Sequence, residues 1–76
     1  MSSVAQITEI SSISEKSFED AIQQGIAQAT QSLQGVKGAW VKEQEVQIEN
    51  GRVSGYKVNL MITFGLGTQQ AASQNG

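Results

Sequence analysis

Residues 52–66, RVSGYKVNLMITFGL, constrain the fold of this chain more than any other stretch. Tyr56, Val58, Leu60, Ile62, Phe64 and Leu66 are apolar at every second position, with Lys57, Asn59 and Thr63 between them. Alternation of that length predicts one long β-strand with an apolar face and a wetter face. Such a strand carries more apolar surface than the rest of a 76-residue chain can cover. The mismatch points to assembly with other copies.

Size supports the same inference. A chain of 76 residues is one domain at most. Chains this short bury roughly 60% of their unfolded surface and are marginal alone, unless disulfides, a metal or oligomerisation help. The sequence has no Cys and no His. A disulfide framework is therefore excluded, and so are thiolate and imidazole metal sites. Oligomerisation is the remedy left. The net charge of −2, with the basic residues scattered over Lys16, Lys37, Lys42, Arg52 and Lys57, argues against nucleic acid as a partner. No apolar run approaches a membrane span and no signal-peptide pattern is visible, so the expectation is a cytoplasmic protein with no membrane partner.

Along the chain, weak alternation around Val4, Gln6, Thr8 and Ile10 predicts a first strand over residues 3–11. Ser11, Ser12 and Ser14 break that pattern, and Ser14 is the candidate N-cap of a helix. Glu15, Glu19 and Asp20 suit the positive end of the helix dipole. Phe18, Ile22, Ile26, Ala29 and Leu33 recur at helical spacing, with Gln23, Gln24, Gln28, Gln31 and Gln34 on much of the other face. Gly25 costs about 1 kcal/mol relative to Ala inside a helix, so its expected use is close approach to a neighbouring element. Gly35 is the candidate C′ residue. A second strand is expected over about 39–49. Asn50-Gly51 then signals a tight hairpin into a third strand from Arg52. Residues 1–66 make one domain, and residues 67–76, GTQQAASQNG, read as a disordered tail.

The hairpin leaves the strand register open. Without interruption, Gln44 pairs with Lys57 and Trp40 with Met61, so Trp40, Lys42, Gln44, Lys57, Asn59 and Met61 share the face opposite Tyr56, Val58 and Leu60. A bulge at Gly55 shifts the parity, returns Val46, Ile48 and Val53 to the apolar face, and packs Trp40 beside Ile62. The first register makes a mixed aromatic, amide and ammonium surface suited to a flat polar ligand. The second makes Trp40 a packing residue.

The inventory argues against an enzyme. The side chains easiest to poise for proton transfer near neutral pH are missing, and no Gly-x-Ser-x-Gly elbow occurs. Glu43, Glu45 and Glu49 alternate on one side of the second strand, as in a solvated face, a set of inter-subunit ion pairs or a site for a hard cation. Gly65-Leu66-Gly67 follows no strand-to-helix turn and is not a phosphate loop.

The order strand, helix, strand, strand, the segment SEKSFEDAIQQGIAQATQSL and the ending YKVNLMITFGL together resemble the dodecins over about residues 4–66. The resemblance implies an α+β, β-α-β-β fold in which a three-stranded antiparallel sheet wraps one helix. It implies a hollow homododecamer that is not an enzyme. It also implies storage or sequestration of a small ligand between subunits, with a flavin (riboflavin, lumichrome or FMN) as the leading cofactor. In flavin-binding members a stacking Trp lies six residues before the position of Gln44. Here that position is Gly38, and Trp40 follows two residues later. The family's flavin-bonding Gln, next after the position of Tyr56, is Lys57. The candidate ligand-binding residues are therefore Trp40, Lys57, Gln44 and Gly38, and no residue is assigned to a metal. The alternative is a shell of the same fold that binds no flavin and serves as a structural or ion-binding assembly.

Overall fold

A computed structural model describes residues 5–65. Strand β1 (Ala5–Ser14) leads into helix α1 (Phe18–Ser32), followed by β2 (Val36–Glu49) and β3 (Arg52–Gly65). The three strands form one antiparallel sheet in the order β1-β3-β2. The expected α+β arrangement is present, with the long alternating strand at its centre. The tail expected over residues 67–76 lies outside the described residues, as does Leu66.

Two serines divide the labour where the chain turns from β1 into α1. Ser17, not Ser14, is the N-cap: its Oγ accepts from the Asp20 backbone N–H at 2.9 Å. Ser14 is instead the last residue of β1 and is buried. Its Oγ donates to Asp20 Oδ2 at 2.6 Å and accepts from the Lys16 N–H at 2.9 Å. The first strand thus runs three residues past its expected end at 11. Ser11 and Ser12 remain in the strand because each finds a use there. Ser11 Oγ donates to Asn59 Oδ1 at 2.9 Å, and the small Ser12 side chain sits beneath Gly25.

Small residues let α1 lie close on the sheet. Its buried line is Ala21, Gly25 and Ala29, while Phe18, Ile22, Ile26 and Leu33 flank it and are only partly buried. A Cβ at Gly25 would lie 2.9 Å from Leu60 Cδ1 and 3.2 Å from Ser12 Cβ, which accounts for the glycine. Beneath this line, Val58, Leu60 and Ile62 of β3 are fully buried. Phe18 and Tyr56 close one end of the core edge to face, with ring centroids 5.2 Å apart. At the other end the helix closes through the Leu33 N–H on the Ala29 carbonyl. Gly35 is left-handed, with φ of +68°, but it lies two residues beyond the C-cap Leu33, immediately before β2, rather than at C′. Its carbonyl accepts from the Gly65 N–H at 2.8 Å.

The register is neither of the two simple expectations. Asn50 and Gly51 both have positive φ, 55° and 75°, as a type I′ turn demands. Glu49 pairs with Arg52 and Ile48 with Val53, and then Ser54 is an extra residue, so that Gln47 faces Gly55 and Val46 faces Tyr56. This is the parity shift expected beside Gly55. A second shift follows on β2, where Lys42 is extra between Val41, opposite Leu60, and Glu43, opposite Asn59. It cancels the first, and Trp40 returns to Met61. Trp40 therefore does not pack beside Ile62, and Gln44 pairs with Val58 instead of Lys57. A third extra residue, Lys37, precedes Gly38.

Length explains what is left uncovered. At about 3.3 Å per residue, the 14 residues of β3 span about 46 Å, whereas the 15 residues of α1 span about 22 Å at 1.5 Å each. Strand β1 reaches only to Tyr56. The hairpin tip, with Ile48 and Val53, projects beyond both.

Candidate ligand site

Cross-strand partners share a face. The face of the sheet turned away from α1 can therefore be read from its rows. Ile13, Lys57 and Glu45 form one row; Ser11, Asn59 and Glu43 the next; Glu9, Met61 and Trp40 the third; Ile7, Thr63 and Gly38 the fourth. Trp40 is 50% exposed, so its indole lies on this face as a surface group, with no core around it.

Polar contacts tie the rows together. Asn59 sits on the central strand and uses both ends of its amide. Its Oδ1 accepts from Ser11 on β1, and its Nδ2 donates to Glu43 Oε1 on β2 at 3.4 Å. One side chain thus fixes groups on both neighbouring strands. Lys42 leaves the ladder at its bulge and reaches Glu9 at 3.3 Å, spanning the sheet next to Trp40. Both partners are well exposed, so the pair contributes little stability and mainly holds the lysine in place. It is the one ion pair among the described residues. Among the described residues Lys57 has no such partner, although Glu45 is directly opposite.

A shallow depression of about 270 Å³ opens here, lined by Glu43, Gln44, Glu45, Lys57 and Asn59. Of the four residues expected at a ligand site, Lys57 and Gln44 both line this depression, but Gln44, paired with Val58, lies by register on the side of α1 and not on the open face. Trp40 and Gly38 lie outside its lining, farther along the sheet. Met61, the partner of Trp40, is four positions beyond Lys57 on β3, about 13 Å along the strand. Gly38 is open: a Cβ there would meet nothing within 4 Å. Sequence reasoning placed Asn59 on this face through the uninterrupted register but did not single out Ser11 or Glu9 as parts of it. The partners of Ser11 and Glu9 are 48 and 33 residues away and leave no local trace. Among the described residues no cluster of carboxylates is arranged to hold a metal ion. No helix among them is long and apolar enough to cross a membrane.

Fold and surface define a small β-α-β-β domain whose sheet is covered by a helix on one face and open on the other. The family model for dodecins matches residues 4–67, and the chain belongs to the dodecin family. Solved structures agree. The dodecin from Streptomyces davaonensis is 25% identical and superposes with a TM-score of 0.82, the match covering 88% of this chain and 98% of that one. A protein from Thermus thermophilus is 31% identical with a TM-score of 0.81, covering 90% of this chain and 100% of its own. The dodecin from Streptomyces coelicolor is 25% identical with a TM-score of 0.81, covering 88% and 96%. No curated protein sequence gave a significant match.

Proposed function

We propose that this chain assembles into a hollow homododecamer and stores or sequesters a flavin at sites between subunits, without catalysing a reaction, in the cytoplasm. The observation that carries this reading is the open sheet face. A half-exposed Trp40 stands there beside a depression edged by the Lys57 ammonium, carboxylates and amides. A flat heterocycle with polar edges matches both halves of that surface. Stacking would fall to Trp40, with Gly38 leaving clear backbone beside it. The edge contact on this face would fall to Lys57, with Gln44 bordering the depression from the side of α1. Membership of the dodecin family supports the shell. So do the apolar side chains left exposed at Ile7, Ile13, Ile48 and Val53, which neighbouring copies would cover.

The test combines native mass spectrometry with titration of riboflavin, lumichrome and FMN. The expected result is a twelve-copy species and quenching of both tryptophan and flavin emission. A monomer at micromolar concentration overturns the shell, and unchanged emission of all three flavins overturns the flavin site. A flavin-free structural shell is the second reading, favoured by the empty position at Gly38 and by Lys57 with its donors only. Flavin retained through purification would exclude it.

A further inference from the structure

Lys57 and Glu45 are direct cross-strand partners on the open face, and both line the same depression. They form no ion pair with each other. Glu43, the other carboxylate there, already accepts from Asn59. Among the described residues, Lys57 thus presents donors without an acceptor, and Glu45 presents acceptors without a donor. Each alone reads half of a mixed polar edge, but together they offer a donor beside an acceptor from adjacent strands. Covering this face would strip water from both groups and leave each in need of a partner.

Resting on the flavin reading above, we propose that Lys57 and Glu45 act jointly as the specificity element for an imide edge, a ring N–H flanked by carbonyls. Lys57 donates to a carbonyl oxygen, and Glu45 accepts the ring N–H. The ligand class is a planar heterocycle carrying an unsubstituted imide. Glu45 was not among the residues expected to bind. The uninterrupted register places Gln44 opposite Lys57, and only the extra residue Ser54 brings Glu45 there.

The probes are riboflavin and its N3-methyl derivative, which keeps the ring and both carbonyls but has lost the imide proton. Binding is followed by flavin fluorescence, and assembly by native mass spectrometry. The intact protein is expected to bind riboflavin about tenfold or more tightly than the methylated compound, as befits one hydrogen bond to a charged group. Glu45→Val is expected to erase that preference, and Glu45→Gln, which keeps an acceptor oxygen, to retain part of it. Equal binding of the two flavins by the intact protein overturns the inference and leaves the flavin site standing. So does a preference that survives in an assembled Glu45→Val protein, since it would then be steric. Binding of neither compound overturns the flavin reading and this inference together. The comparison on the intact protein decides the matter even where a variant fails to assemble.

Discussion

The two faces of one strand have opposite fates. On the side of α1, Val58, Leu60 and Ile62 are 0% exposed, sealed by a helix whose contact line is Ala21, Gly25 and Ala29. On the other side, Lys57, Asn59, Met61 and Thr63 are screened only by their lateral neighbours, and Trp40 beside them is half exposed. The hairpin tip is barer still, with Ile48 at 58% and Val53 at 48%. The difference teaches that alternation in a central strand makes two surfaces and that this chain finishes only one of them. The finished face sets whether a subunit folds. The unfinished face carries the information about what covers it.

The largest effect should come from striking the finished face. Leu60→Ala removes the largest fully buried side chain, and its expected cost is about 2–5 kcal/mol in urea unfolding at fixed protein concentration. Val53→Ser should change the unfolding of a single subunit by no more than about 0.5 kcal/mol, while reducing the copy number seen by native mass spectrometry. Equal losses of stability from the two substitutions would erase the distinction between the faces. Gly25 sharpens it further. Gly25→Leu should cost about 1–3 kcal/mol, because the added side chain meets both Leu60 Cδ1 and Ser12 Cβ. Gly25→Ala should fall within about 1 kcal/mol of the parent. The flexible end of Leu60 must then move and Ser12 Cβ must give slightly, while Ala is the better helix former. A Leu variant with an unchanged melting temperature and oligomer would mean that the helix does not sit as close as it does here.

Much of the finished face was legible in the sequence because it depends on short-range chemistry. The helix over Phe18–Ser32, the Asn50-Gly51 turn and the close approach at Gly25 all follow from spacing and from residue types with narrow conformational uses. The helix cap was placed three residues early, since Ser14 and Ser17 are chemically alike. What separates them is the Asp20 carboxylate, which takes a proton donor from one while its backbone N–H donates to the other. The open face was half legible. Gly55 betrayed the first parity shift, but nothing marks Lys42 as the extra residue of the second. Each shift moves every later side chain across the sheet. Trp40 therefore ended opposite Met61, as in the uninterrupted register, while Lys57 gained Glu45 as in the shifted one. A candidate site made of cross-strand partners could not be assembled correctly until both shifts were known.

The smallest expected effect concerns the junction between β1 and α1, where the covered face begins. The Asp20 carboxyl is held below its ordinary value chiefly by the hydrogen bond from Ser14 Oγ. Partial desolvation opposes this, and the bond from Gln24 Nε2 and the charge of Lys16 reinforce it. The ionised carboxylate is therefore better accommodated in the folded chain than in the unfolded one. Its stabilising contribution is complete above the unfolded value of about 3.9 and is lost as pH falls from there through the lowered folded value. The melting temperature of the parent protein should consequently drop more steeply than that of Asp20→Asn as pH falls below about 4. At neutral pH the variant should melt lower than the parent, and the gap should close in acid, where both carry a neutral side chain at this position. The Oδ2 that accepts from Ser14 also accepts from Gln24 at 2.6 Å, so protonation loosens the serine of β1 and the second turn of α1 together. Parallel pH profiles for the two proteins would show that the junction is held by the buried Ser14 and the Ser17 cap alone, with the carboxylate charge playing no part.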